Sequence, residues 1–410
     1  MITPLFEEGM ERKTLVNVIG LGYIGLPTAL MLASHGVPVI GTDYNANLVD
    51  TLNRGQTTFS EDGLEELFAK ALEGGIRFTT EYQSTEVYIV SVPTPYDKES
   101  KRIDPCYVVS AVEKILTICP DNAVIVVEST VSPGTIDRFV RPLCEGKKVH
   151  LVHAPERIIP GNMVFELEHN SRTIGADEPA MGMQIKELYS SFCKGDIVVT
   201  DIKTAEMTKV IENTYRAVNI AFANELAKLC HYEGMNVDEI IRICNMHPRV
   251  NILSPGPGVG GHCIPVDPWF LVGDYPEHTP LIAQSMKINE EMPDFVFERI
   301  CKIMDKHGIT DFSKVGLYGL TYKEDVDDVR ESPTLQLLER HPEAFRVYDP
   351  MVRGGLVAHQ DTDFDLFLRE SRLLVIMVGH SHLKSCTEAL EGKVIFDTRH
   401  ALKGMDVYRI

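Results

Sequence analysis

Val16-Asn17-Val18-Ile19 runs directly into Gly20-Leu21-Gly22-Tyr23-Ile24-Gly25, and an amphipathic stretch follows as far as Gly36. An apolar run, a glycine turn and a helical pattern, in that order, give the G-x-G-x-x-G spacing a physical meaning. Gly20 permits the tight turn and Gly22 lets a pyrophosphate approach the backbone. Gly25 lets the helix lie close on the strand, with its N-terminus turned to the phosphates. Tyr23 and Ile24, between the glycines, are counted with them as cofactor contacts. A second strand over residues 37–42 ends at Asp43, about 20 residues further on, the offset that a ribose-binding acid requires. A carboxylate there accepts both ribose hydroxyls and repels a 2′-phosphate. No arginine stands beside it, so NAD is expected rather than NADP.

The alternation continues with apolar runs at 87–92, 123–127 and 149–152, separated by helical patterns. This predicts an α/β fold whose N-terminal part is an open parallel sheet wound on both faces, a Rossmann domain. Ligands bind outside the carboxyl ends of such strands. Those ends carry Pro93-Thr94-Pro95, Glu128-Ser129-Thr130 and His153-Ala154-Pro155-Glu156-Arg157. Turn chemistry alone would account for proline and threonine at strand ends, and it is the plainer reading of Thr94. Three polar clusters at one ligand edge favour function for Thr130 and Glu156.

With 410 residues and 44% hydrophobic content, the chain can bury a large core and divide into two or three domains. Its nine cysteines are odd in number and lack metal-like pairing, so no metal is expected. Residues 1–13 are acidic and lack a secretory pattern, which predicts a soluble protein of the reducing cytoplasm. No apolar run approaches the roughly 20 residues that a membrane span needs. A net charge of −19 argues against nucleic acid. It still allows an anionic small ligand, if arginines and lysines gather at one place.

Later in the chain, Gly256-Pro257-Gly258-Val259-Gly260-Gly261 leads to His262-Cys263-Ile264-Pro265-Val266-Asp267-Pro268. A lone free cysteine is usually small buried filler. Behind a run of glycines that lets a ligand approach, and with a dinucleotide fingerprint upstream, Cys263 reads as a nucleophile. Residues 201–233 read as one long helix, with Met207, Val210, Ile211, Tyr215, Val218, Phe222, Leu226 and Leu229 at three-and-four spacing. Such a helix joins lobes or packs on a partner subunit. Lys209 and Asn213 lie four apart on it and share a face. Beyond Phe312 a second, smaller α/β unit is expected. Its strands include 315–320, 346–348, 373–378 and 394–396, with basic Lys323, Arg330 and Arg399 next to strand ends.

In sequence these motifs resemble the UDP-sugar 6-dehydrogenases of the UDP-glucose/GDP-mannose dehydrogenase family over essentially the whole chain. The matching elements are Gly20-Leu21-Gly22-Tyr23-Ile24-Gly25-Leu26-Pro27, Val92-Pro93-Thr94-Pro95, Glu128-Ser129-Thr130-Val131, Pro155-Glu156, Lys209 with Asn213, and the Cys263 loop. Gly319-Leu320-Thr321-Tyr322-Lys323 and Asp327-Asp328-Val329-Arg330-Glu331-Ser332-Pro333 complete the set. Within the family, His153-Ala154-Pro155-Glu156-Arg157, Val266 before Asp267, His247-Pro248-Arg249-Val250-Asn251 and Asp267-Pro268-Trp269-Phe270 resemble the branch acting on UDP-N-acetyl-D-mannosamine. UDP-N-acetylglucosamine, through a related Pro-Glu-Arg segment, and UDP-glucose are the alternative substrates.

The resemblance implies an NAD-binding Rossmann domain over 1–200 and a central helical, dimer-forming and cysteine-bearing domain over 201–305. A smaller Rossmann-like domain for a UDP-sugar follows over 306–410. It implies four-electron oxidation of a primary alcohol to an acid through a Cys263 thiohemiacetal and thioester, supplying cell-surface polysaccharide. Lys209 and Asn213 would stabilise the oxyanion, with Asp267 orienting Lys209 or a water. Glu156 would act as base for thioester hydrolysis and Thr130 would position the water. Thr94, Thr130 and Arg330 join the NAD contacts. Glu156, Arg157, Lys209, Asn213, Asn251, Gly260, Lys323 and Arg399 would meet the UDP-amino-sugar, and Arg249 that of a neighbouring subunit in a homodimer or dimer of dimers. The rivals are a two-electron hydroxyacid dehydrogenase, which needs no thiol, and a nucleotide-sugar sensor, which would be expected to have lost part of this residue set.

Overall fold

The computed structural model describes residues 14–159 and 161–410. Residues 1–13, read above as lacking a secretory pattern, and Pro160, after the Glu156 segment, lie outside the described residues. The chain divides into two compact units between Ile211 and Glu212.

In the first unit an eight-stranded sheet has the order β3-β2-β1-β4-β5-β6-β7-β8. The strands are β1 (Val16–Ile19), β2 (Val39–Thr42), β3 (Arg77–Thr79), β4 (Val87–Val90), β5 (Ala123–Val127), β6 (Val149–His153), β7 (Arg172–Ala176) and β8 (Ile197–Thr200). Helices α1 (Gly25–Ser34), α2 (Ala46–Asn53), α3 (Leu64–Glu73), α4 (Cys106–Ile118), α5 (Met163–His169) and α6 (Pro179–Ser190) connect them. Strands β1, β4 and β5 are buried along their whole length. That is why they read as continuous apolar runs and not as alternating ones. The one polar side chain inside β1, Asn17, donates from Nδ2 to Ile40 O at 2.9 Å and Thr42 Oγ1 at 2.8 Å, while its buried Oδ1 has no hydrogen-bond partner among the described residues.

The sheet departs from the sequence expectation in one respect. β7 runs antiparallel to β6, with Val152 opposite Ala176 and His153 opposite Gly175. β3 and β7 escape a reading by apolar runs because β3 has only three residues and β7, Arg172-Thr173-Ile174-Gly175-Ala176, carries an arginine and a glycine; β8, Ile197-Val198-Val199-Thr200, is an apolar run that the reading passed over. Gly175 is required there, since a Cβ would stand 2.6 Å from Ile202 Cα.

α7 (Ile202–Glu233) is the long helix foreseen. Its expected apolar stripe splits in two. The buried seam is built of Ala217, Ala221, Ala223 and Ala227, whereas Tyr215, Phe222 and Leu229 are 62%, 52% and 53% exposed.

The second unit holds α8 (Val237–Cys244), α9 (Asp267–Asp274), α10 (Pro280–Glu290), α11 (Met292–Lys306), α12 (Pro333–Arg340), α13 (Phe364–Glu370) and α14 (Ser381–Ser385). Its parallel sheet has the order β10-β9-β11-β12-β13, formed by β9 (Val315–Tyr318), β10 (Arg346–Tyr348), β11 (Leu373–Ile376), β12 (Val394–Asp397) and β13 (Tyr408–Arg409). Its first turn, Gly319-Leu320-Thr321-Tyr322, repeats the hydrogen bonding of Gly20-Leu21-Gly22-Tyr23 in the first unit. Gly20 N donates to Thr42 O and Gly319 N to Tyr348 O, each at 2.8 Å. Leu21 N donates to Asp43 Oδ2 at 2.8 Å, and Leu320 N to Asp349 Oδ2 at 2.5 Å. Asp349 also accepts from Thr321 N at 3.1 Å and pairs with His380 Nε2 at 3.2 Å, which holds its carboxyl below the usual range against the pull of burial.

Replacing Asp349 by alanine strands four backbone donors, on Leu320, Thr321, Met351 and Val352, and a buried histidine. A loss of about 3 kcal/mol is expected in the unfolding of this unit, read from the midpoint shift in urea.

Candidate active site

At the ligand edge of the first unit, Gly20 holds φ +90°, and Gly25 lies so close that a Cβ on it would stand 1.9 Å from Gly20 O. Gly22, by contrast, faces open space. A turn locked on both sides and bare in the middle leaves a lane for a phosphate. Asp43 closes it from β2, accepting from Leu21 N at 2.8 Å and from Asn45 N at 2.9 Å. These residues fit a bound dinucleotide. Tyr23 stacks on Phe59 with ring centroids 4.4 Å apart, and Ile24 packs on the core. Thr94 Oγ1 donates to Thr130 O at 2.8 Å, and Ser129 Oγ donates to Val92 O at 2.7 Å, so the loops after β4 and β5 are tied together.

Beside them lies a buried charge cluster. Glu156 is 6% exposed; its Oε1 accepts from Arg157 N at 2.7 Å and its Oε2 from Arg172 Nη2. Glu128, 1% exposed, accepts at Oε1 from Tyr189 Oη at 3.1 Å and Thr28 Oγ1 at 3.3 Å. Burial pushes the Glu128 carboxyl up to about 7, opposed by Arg172 and reinforced by Glu156. Burial pulls the Arg172 guanidinium down, but Glu156, Tyr189 and Glu128 outweigh it and the net shift is upward. His153, at the end of β6, is pushed down to about 4 by burial and stays neutral, its Nδ1 donating to Val127 O at 2.8 Å. Arg157 turns away along β7, donating to Ser171 O at 3.0 Å and Thr173 Oγ1 at 2.8 Å. Lys209 is buried on α7, one turn before Asn213.

In the second unit the Cys263 loop is held from two sides. Asn224 Oδ1, on α7, accepts from Gly256 N at 2.9 Å, and its Nδ2 donates to Asn289 Oδ1 at 2.9 Å. Asn219 Oδ1 accepts from Leu253 N at 3.0 Å and its Nδ2 donates to Asn251 O at 2.7 Å. On the other side, Gly261 N donates to Arg330 O at 3.0 Å. A Cβ on Gly260 would stand 2.6 Å from Tyr322 Cβ and 2.7 Å from Glu331 O. These glycines therefore admit the protein's own backbone, in addition to any ligand. Cys263 itself is exposed, and its carbonyl accepts from Asp267 N at 2.8 Å to start α9. Asp267, expected to orient Lys209 or a water, accepts from Asn213 Nδ2 at 2.6 Å.

Arg399 Nε donates to Met377 O at 2.9 Å, and its Nη1 lies 3.0 Å from where a Cβ on Gly256 would be. Arg330 is exposed and forks onto Asp328, with Nε–Oδ1 at 2.8 Å. Lys323 is half-buried, and its carbonyl accepts from Thr321 Oγ1 at 2.8 Å. Arg249 is exposed on the loop after α8. Sequence reasoning missed Arg172, Asn219, Asn224 and Asn289. The two α7 asparagines had a signal, as polar residues among the alanines that form the helix's buried seam.

A dinucleotide turn and a cysteine loop in one chain are the build of a nucleotide-dependent dehydrogenase. Models of the UDP-glucose/GDP-mannose dehydrogenase family match three segments in succession: the NAD-binding domain over residues 14–193, the central domain over 203–291 and the UDP-binding domain over 316–404. The chain is 41% identical to the UDP-N-acetyl-D-mannosamine dehydrogenase of Methanocaldococcus jannaschii, over 98% of this chain and 95% of that protein. It is 36% identical to the NDP-N-acetyl-D-galactosaminuronic acid dehydrogenase of Ralstonia nicotianae, over 94% and 95%. Among solved structures, the UDP-D-ManNAc dehydrogenase of Pyrococcus horikoshii superposes with a TM-score of 0.89 at 36% identity, covering 97% of this chain and 99% of that one. The chain belongs to the UDP-glucose/GDP-mannose dehydrogenase family, and NAD is its cofactor.

Glu128 makes stability depend on pH. Its folded carboxyl titrates at about 7, against 4.5 as the ordinary value. The folded state thus binds the proton more tightly, and stability falls as pH rises from about 4.5 through about 7. Glu206, pushed up to about 7 by burial, adds a slope of the same sign. Glu128→Gln is therefore expected to flatten part of this fall, so that its Tm relative to the parent is more favourable at pH 8 than at pH 5.

Proposed function

We propose that the protein oxidises UDP-N-acetyl-D-mannosamine at C6 to the uronic acid, consuming two NAD and one water. The observation that carries the chemistry is an exposed Cys263 on a glycine loop, with Asp267 one turn on bonded to Asn213. The substrate rests on the relatives' activity, and UDP-N-acetylglucosamine and UDP-glucose are its competitors. The division into 1–200, 201–305 and 306–410 is kept, supported by the bounds of the three matched segments.

NAD, when bound along Gly20, Gly22, Tyr23, Ile24, Gly25 and Asp43, with Thr94, Thr130 and Arg330 beside it, supplies the hydride acceptor for both oxidations. The first oxidation removes a hydride and the hydroxyl proton from C6 and leaves an aldehyde. The Cys263 thiolate adds to that carbonyl, forming a C–S bond and an alkoxide that Lys209 and Asn213 stabilise. Loss of a second hydride re-forms the C=O bond as a thioester. Glu156 takes a proton from a water positioned by Thr130, the water oxygen adds to the carbonyl, and the C–S bond breaks to return the thiolate. Arg157, Asn251, Gly260, Lys323 and Arg399 hold the UDP-sugar.

The working form is a homodimer or a dimer of dimers, with Arg249 reaching the neighbouring copy's substrate. The exposed Tyr215, Phe222 and Leu229, spaced by seven along α7, support this, since they make one continuous apolar stripe. Activity in the cytoplasm, feeding a surface polysaccharide, completes the reading.

Two NADH per UDP-N-acetyl-D-mannosamine are expected, with little from the other two sugars. Cys263→Ser should form no acid yet bind NAD with the parental Kd; one NADH per sugar from the parent would instead favour the two-electron route, and none from any sugar a sensor. Phe222→Glu is expected to give the mass of a single chain in light scattering.

A further inference from the structure

The reversal of β7 has a chemical result. A parallel β7 would begin at the edge of the sheet far from the ligand. Running antiparallel, it begins at the ligand edge. The β6–β7 pairing places Val152 opposite Ala176 and His153 opposite Gly175. Continued beyond β6, that register brings Arg172 opposite Glu156. Arg172 Nη2 indeed donates to Glu156 Oε2, and both side chains are buried, at 3% and 4% exposed. The guanidinium is boxed in by Tyr189 and Phe192, with ring centroids 4.5 and 5.4 Å from Cζ. Its Nη1 stands 3.6 Å from Glu128 Oε1 and has no hydrogen-bond partner among the described residues. One cation thus serves two buried carboxylates but bonds only one.

We propose that Arg172 is a positioning residue that keeps Glu156 ionised and aimed at the ligand edge. This rests on Glu156 acting as the hydrolytic base. A carboxylate buried alone takes up a proton and can no longer accept one from water, whereas a guanidinium in contact restores the charged form. The groups facing the pair are Glu128 after β5, Tyr189 on α6, Cys193 after α6 and the Arg157 amide. Among these, Arg172 is the cation whose side chain touches Glu156.

The test is the pH profile of thioester hydrolysis, read as acid release and as the mass of the Cys263 adduct on intact protein. Glu156→Gln is expected to accumulate the adduct at every pH; hydrolysis at the parental rate would end the role of Glu156 itself and leave Arg172 nothing to position. With Glu156→Gln slow, Arg172→Gln should move the acidic limb up by at least one pH unit. On the acid side of the parental limb the rate would then be about tenfold below the parent, with the adduct building up there and clearing as the pH is raised. A limb that stays at the parental pH, whatever the loss in Tm, means that Arg172 is structural and overturns the inference. Should Arg172→Gln fail to bind NAD or to fold, Arg172→Lys decides the matter: it keeps the charge but gives up the guanidinium fork that reaches Glu156, so the limb should move up by at least half a unit, and an unmoved limb overturns the inference equally.

Discussion

A carboxylate that ends a strand and accepts the amide of a neighbouring glycine turn is the interaction on which both units are built. Asp43 does this for Leu21 N and Asp349 for Leu320 N. In each, the turn glycine donates to the strand that carries the acid, and a residue two beyond the acid donates to its other oxygen. The bond fixes how far the turn stands from the sheet edge, and hence where a ligand can enter. The two copies then diverge. In the first, Gly22 leaves the approach open; in the second, Thr321 occupies the corresponding place, and His380 takes the remaining capacity of Asp349. A pyrophosphate can lie against the first turn's backbone, whereas the second turn carries a threonine there, whose Oγ1 is bonded to Lys323 O.

Burying two carboxylates around one guanidinium is costly in a sheet that could have been wholly apolar. Stability gives no reason to keep it, as Glu128 shows by holding its proton up to about 7. The cluster stands where the strands end and the ligand begins, the position at which a perturbed charge has chemical use.

Much of this was legible in the sequence. The fully buried strands β1, β4 and β5 announce themselves as apolar runs, and the glycine spacing with Asp43 announces the cofactor. What was hidden falls into two kinds. β7 mixes an arginine and a glycine with apolar residues because its ends meet other parts of the fold, Glu156 at one and the start of α7 at Gly175 at the other. Local pattern cannot show a strand's direction, and so it cannot show that Arg172 meets Glu156. α7 misled in the opposite sense. Its large apolar residues looked like the core, but much of the close-packed seam is alanine, whose small side chain lets neighbours approach, and Ile211, Tyr215, Phe222 and Leu229 are left outside. The candidate site followed the same division: residues could be named one at a time for their chemistry, whereas the asparagines that suspend the cysteine loop from α7 stand out only once the alanines around them are seen to be the buried seam.

That suspension leaves the loop no slack. Gly260 meets Tyr322 and Glu331 at distances where even a methyl group has no room, and Gly261 donates to the carbonyl of Arg330. The segment that carries Lys323 and Arg330 therefore bears directly on the segment that carries Cys263. A shift of the first by a fraction of an ångström must be passed on to the second, because no side chain lies between them to take it up. The thiol's position thus becomes a mechanical readout of whatever settles against the 322–331 segment.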